Sequence, residues 1–285
     1  MTGTKIVKLR LDEGAGERLP SLKRHAVAAA LGLWETTEYK GWDDSKGFYE
    51  KLMWEAKEYR ATAKDVQAIA DQLEERHSSE DWYPQKAGIL LTVMMQNSSE
   101  SEFTLKTETH LAYVGYRLFG GKKITVEGDV ASNVGRHMTE GHIHVKGEAG
   151  SNAGHHMMNS TLRIEKDAEG WLGESMGENS SIYVGGKAGG SVGEGMWGGK
   201  IEVVGDVGDN AGKRMQKGEL IIGGNAGNNL GENMSGGHIH VKGNCGWGTA
   251  DCIGRGRIDI DGNVKNFGYI GINKEVYHKG KRTKG

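Results

Sequence analysis

The chain has 285 residues, with 47 Gly, 2 Pro and 2 Cys, a net charge of -2 and a mean hydropathy of -0.57. These values argue against a strongly basic nucleic-acid binder, a disulfide framework and a membrane span, which needs about 18 consecutive apolar residues. The opening MTGTKIVKLRLDEGAG has no apolar export core, so a cytoplasmic location with reduced thiols is expected.

Lys5 to Leu11 alternates as a short strand. After Pro20, the run LKRHAVAAALGLW suits a helix capped by Ser21 and stopping near Gly32. Asp43, Asp44 and Ser45 precede an i, i+3, i+4 stripe of Phe48, Tyr49, Leu52, Met53 and Ala56, which predicts a second helix. Thr62 with Asp65 three residues on forms a capping box for a third, with Val66, Ile69, Ala70 and Leu73 on one face. The apolar run Gly88 to Met95 fits a buried strand or a short helix. Residues 1–100 are therefore read as a mostly helical cap that seals the open end of the glycine-rich region after it, and the composition changes near Ser98 to Ser101.

Only 7 glycines precede residue 100, whereas 38 lie from Gly115 to Gly271. They are not a flexible linker, because they are periodic and interleaved with aliphatics. Ile143, Val145, Gly147, Ala149, Ala153, Gly154 and Met157 return as Leu162, Ile164, Ala168, Leu172, Gly173 and Met176, and again further on. Met138, Met157, Met176, Met196, Met215 and Met234 are spaced 19, 19, 20, 19 and 19, and Gly135, Gly154, Gly173, Gly193, Gly212 and Gly231 keep the same steps. An alternating apolar pair followed by glycine turns makes one short strand per unit and rules out a helical repeat.

Stacked parallel strands satisfy the backbone and bury each apolar column, so residues 101–272 are read as a right-handed parallel β-helix of about seven coils. Blurred copies at Phe103 to Leu118 and Arg257 to Gly268 fit atypical end units. The repeated glycines are expected at corners needing positive φ. The Ile/Val, Ala/Val and Met columns point inward and fill the coil, which leaves no internal ligand cavity.

Chemistry must then sit outside. His137 and His156 share a column one coil apart with His155 beside them, the best candidate metal ligands in the chain, yet zinc spacing is missing and outward polar packing is the preferred reading. His142 and His144 lie about five coils from His238 and His240, too far to share an ion. The columns Asn133, Asn152, Asn210, Asn229 and Asp129, Glu148, Asp167, Asp206, Asn225, Asn244, Asn263 are assigned to amide ladders and Asx turns rather than to the acid/base pair of a carbohydrate-active β-helix. Gly193 to Gly198 matches G-x-G-x-x-G without the strand-turn-helix context that phosphate binding requires. Cys245 falls in the small apolar column, Cys252 comes where the repeat falters, and 273–285 is read as a basic tail.

The repeat resembles the glycine-rich GXGXG β-helix at the C-terminus of the glutamate synthase large subunit, and is similar to the corresponding glycine-rich subunit of formylmethanofuran dehydrogenases. The resemblance rests on the stretch from Gly147 to Met157 and its copies, most fully Gly205 to Met215 and Gly224 to Met234, and covers roughly residues 103 to 271. It implies a right-handed β-helix with no catalytic residue and no cofactor of its own, holding catalytic subunits together in a larger assembly. The expected partners are those catalytic protein subunits, with self-association as a further option and neither nucleic acid nor membrane. The alternative is a stand-alone enzyme with a surface site near His137 and His156 or in the groove between cap and coils.

Overall fold

The computed structural model describes residues 21–41, 44–77, 79, 81–108, 110–270 and 274–283. The strand expected at Lys5 to Leu11 and the side chain of Ser21 lie outside that description. Four helices are present among the described residues: α1 (Ser21–Thr36), α2 (Ser45–Glu55), α3 (Ala63–His77) and α4 (Tyr83–Asn97). The capping box of α3 forms in both directions. The Asp65 backbone N–H donates to Thr62 Oγ1 at 3.2 Å, and the Thr62 N–H donates to the Asp65 carboxylate at 2.8 Å.

Helix α1 continues four residues past Gly32, where the sequence suggested a stop. A side chain at Gly32 would meet nothing within 4 Å, so this glycine is a tolerated helical residue rather than a terminator. The ambiguous run Gly88 to Met95 is the body of α4. Ile89, Leu90, Leu91, Val93, Met94 and Met95 are all at most 1% exposed, because the helix is covered on every side by α2, α3 and the first coil. Gly88 is required there: a Cβ at this position would collide with the Ala112 carbonyl.

Ten strands then stack in sequence order as one parallel sheet: β1 (Glu102–Leu105), β2 (Lys122–Val126), β3 (Gly141–Val145), β4 (Thr161–Ile164), β5 (Ser181–Val184), β6 (Trp197–Val203), β7 (Lys217–Ile222), β8 (His238–Val241), β9 (Arg257–Ile260) and β10 (Glu275–His278). A two-residue β11 (Lys281–Arg282) pairs antiparallel with β10. The result is a β-solenoid of about 9 turns, against the seven expected. The undercount has a physical cause: the first and last units keep the apolar strand, with Phe103 opposite Ile124 and Val276 opposite Ile258, but both lack the methionine, the first retaining only its corner glycine, Gly115. Part of the expected tail therefore belongs to the sheet.

Every inward column is closed. The six methionines are 0% exposed, and Val130, Ala149, Ala168, Ala188, Val207, Ala226, Cys245 and Val264 bridge from coil to coil as a second row. Fully burying one such methionine stabilises by about 1.5–3 kcal/mol relative to leaving it in water, so the column is a major part of the core.

The corner is richer than the glycine pattern implied. Gly154 has φ +68, and a Cβ there would stand 2.6 Å from Ile182 Cδ1, so glycine is needed for both backbone and space. Asn152 and His156, two residues to either side, are also left-handed at φ +62 and +55. Alternating hands make the amides of the corner point alternately up and down the stack. In the preceding coil, Asn133 and His137 donate their N–H groups to the Ser151 and His155 carbonyls above, while Gly135 donates to Val114 below. Asparagine is among the few residues that tolerate this conformation, which accounts for its column. The Asp/Asn column beside it accepts across coils: Asp129, Asp167 and Asp206 each take a backbone N–H of the next coil at 2.7 Å. These carboxylates are ladder rungs.

The cap seals the first coil through hydrogen bonds as well as packing. Gln67 and Gln96 each use both ends of the amide, pairing with the N–H and C=O of Lys106 and of Phe119 respectively. Thr92 Oγ1 accepts from the Gly115 N–H, and the Pro84 carbonyl from the Ala112 N–H. The edge groups thus find partners away from water.

Candidate functional site

The left-handed position two residues after the glycine of each corner carries Arg117, His137 and His156 in three successive coils, at φ +55, +58 and +55. The rings of His137 and His156 stack with centroids 5.2 Å apart and planes 9° from parallel. His155 meets His156 edge-on at 4.3 Å and His137 at 5.9 Å. The trio expected from the sequence is therefore one cluster.

Burial dominates its electrostatics. The imidazole of His137 is pushed down to about 4 and that of His155 to about 3, by loss of water first and then by the neighbouring Arg136 guanidinium. His156 is lowered for the same two reasons. His155 is 9% exposed; its Nε2 lies 3.4 Å from the Glu174 carboxylate, and its Nδ1 has no hydrogen-bond partner. Burial and the facing Glu194 raise Glu174 in turn. At neutral pH the three rings are uncharged.

This geometry does not suit a metal. Lone pairs lie in the ring planes, and two nearly parallel planes cannot both contain one ion. Among the described residues no group of three or more His, Cys, Asp or Glu is placed to hold one. Three of the strand histidines are held in surface ladders, His144 on Glu165 at 2.7 Å, His238 on Asp259 at 2.7 Å and His240 on Asp261 at 2.9 Å. Cys245 is buried and its thiol is raised to about 12, whereas Cys252 is exposed beside Asp251, whose carboxylate raises it too. Neither is an activated thiolate. Gly193 and Gly195 sit in a solenoid corner just before β6, not at the start of a helix.

The histidine stack forms one wall of a groove of about 550 Å³ where the cap meets the coils. Tyr49 from α2, together with Arg117, Phe119, Thr139, Met158 and Trp197 from the coils, completes the lining. Tyr49 donates its hydroxyl to the Arg117 carbonyl at 3.4 Å, and burial pushes that phenol up to about 12. The Arg117 guanidinium lies 5.8 Å over the Tyr49 ring and 4.0 Å from Glu50. Of these residues the sequence pointed only to the histidines. Arg117, Phe119, Met158 and Trp197 were missed because they occupy outward positions in a pattern read for its inward ones. The one available signal was the single 20-residue step from Met176 to Met196.

No helix among the described residues is long and apolar enough to cross a membrane. No protein-family model matches the chain, and no curated protein matches it either.

Proposed function

We propose that the chain is a non-catalytic structural subunit of a multisubunit cytoplasmic oxidoreductase or C1/amidotransfer complex, of the glutamate synthase or formylmethanofuran dehydrogenase type. One observation carries this reading: the coil interior is filled, with every methionine of the repeat at 0% exposure, so only the outer surface is left to work with. Large aromatics stand on that surface, Trp54 on the cap and Trp171, Trp247 and Tyr269 along the coils, each at least 50% exposed. Trp and Tyr of this kind are typical anchors of protein interfaces. The partners are catalytic subunits, and a second copy of this chain is a further one.

The test is purification from the native source at physiological salt. A stoichiometric, identifiable flavin, iron-sulfur or amidotransferase subunit should accompany the chain and be released by Trp171→Asp or Trp247→Asp. A monomer with no companion overturns the reading.

The second reading, a stand-alone enzyme, is favoured by the merging of its two expected locations into one groove lined by His137 and His156. Among the described residues, however, neither ring is hydrogen-bonded to a carboxylate that would orient it as a base. His156→Ala should leave any activity of the assembly intact; loss of that activity in a folded variant would select the enzyme instead.

A further inference from the structure

The groove departs from the solenoid's own rule. The residue after each methionine of the repeat faces away from the coil interior and reads Thr139, Met158, Gly177, Trp197, Gln216, Ser235. Polar residues hold the ends of this column, while Met158 and Trp197 bring two large apolar groups to its middle. The one irregular step between consecutive methionines of the repeat lies here as well. Six positions separate Met176 from Ile182, where five separate Met157 from Leu162 and Met196 from Ile201. Strand β6 begins early, at Trp197, with a register irregularity between Trp197 and Lys200.

These departures serve one arrangement. A Cβ at Gly177 would stand 2.6 Å from the Trp197 ring and 2.9 Å from Met158 Cγ, so the indole reaches back over Gly177 toward Met158. Its N–H donates to the Ser175 carbonyl at 3.1 Å, which fixes the ring. The surface so formed faces the histidine stack, and Arg117 closes the other end, two coils from Met158 and four from the backbone of Trp197, about 10 Å and about 19 Å at the inter-strand spacing, the second distance shortened by the indole reaching back over Gly177. Arg117 is the one formally charged residue of the lining, and the carboxylate nearest to it, Glu50 at 4.0 Å, stands outside the lining and half-exposed. An apolar aromatic floor, two uncharged imidazoles and a single terminal guanidinium match a flat ring bearing one negative group.

We propose that this groove binds a planar aromatic carboxylate, with its ring against Trp197 and Met158 and its carboxylate on Arg117. His137 and His156 line the middle and offer hydrogen bonds to ring substituents without adding charge. Such binding is independent of the structural role proposed above and stands or falls separately.

The experiment uses the full chain and calorimetric titration with 2-naphthoate, its neutral analogue 2-naphthalenemethanol as comparison, and Arg117→Gln, Trp197→Gln and the distant Trp247→Gln as variants. Trp197→Gln installs the residue that the same column carries at Gln216. We expect saturable binding of 2-naphthoate, about tenfold weaker binding of the alcohol, a loss of about tenfold in Arg117→Gln and in Trp197→Gln, and no change in Trp247→Gln. No saturable binding, equal affinity for the alcohol, or unchanged affinity in a folded Trp197→Gln variant would each overturn the proposal. Should Arg117→Gln not fold, Trp197→Gln and the alcohol decide the question between them.

Discussion

Replacing Gly173 by alanine separates the two demands that the corner makes on its glycine. Gly173 has φ +64, which costs an L-residue about 1–2 kcal/mol. Its Cβ would also stand 2.5 Å from Ile201 Cδ1 and 3.1 Å from Ile182 Cδ1, in a core where those isoleucines are 0% and 2% exposed. Overpacking of that kind adds about 1–3 kcal/mol, so Gly173→Ala should lose about 2–5 kcal/mol in all. Gly121 has φ +70 with nothing within 4 Å, and Gly121→Ala should show the dihedral cost alone, about 1–2 kcal/mol. Urea unfolding followed by far-ultraviolet circular dichroism measures both. A second arm removes the offending atom: Ile201→Val deletes Cδ1 and should cost about 1 kcal/mol in the native background, yet be neutral or stabilising in the Gly173→Ala background. Equal losses for Gly173→Ala and Gly121→Ala, or additive behaviour of Gly173→Ala with Ile201→Val, would refute the packing argument.

Other perturbations act on contacts of the same kind. Gln96→Ala removes both amide bonds to Phe119 and should cost about 1–2 kcal/mol, with faster hydrogen exchange at the Phe119 amide; unchanged exchange would mean that the amide contributes nothing. Gly32→Ala lies in an open stretch of α1 and should stabilise by about 1 kcal/mol in thermal or urea melts. His137 and His155 titrate below an ordinary imidazole, so their contribution to stability is fully present above about pH 6.5, and the unfolded chain takes up protons first as the pH falls. Below about pH 6.5 the protein should lose stability as the pH falls, by at most about 1.4 kcal/mol per pH unit for each histidine and less where water still screens the ring, and His155→Gln should flatten that slope; an unaltered slope would refute the assignment.

The repeat was legible in the sequence because a solenoid writes its geometry into spacing: one strand, one corner and one methionine per turn. The terminal turns hid because Leu118 stands where later coils have methionine, and because Val276 comes 18 residues after Ile258 with no methionine between them to mark the turn. The run Gly88 to Met95 left helix and strand undecided since a segment buried on all sides carries no periodicity to read. Positive φ could be inferred for glycine but not for His137 or Arg117, whose residue types do not announce that conformation. The histidine cluster followed from column arithmetic. The groove did not, because it depends on where Trp197 leans and on a helix, α2, whose placement against the coils no local pattern encodes.

The two glutamines of the cap have a consequence for association. By occupying the donors and acceptors at Lys106 and Phe119, Gln67 and Gln96 withhold these two points of the leading coil from an incoming strand. A head-to-tail filament built by strand pairing needs complementary open edges, and among the described residues the first coil has these positions already paired to the cap. Strand-on-strand growth from the cap end is therefore closed at these two points, and contacts made there must use side chains.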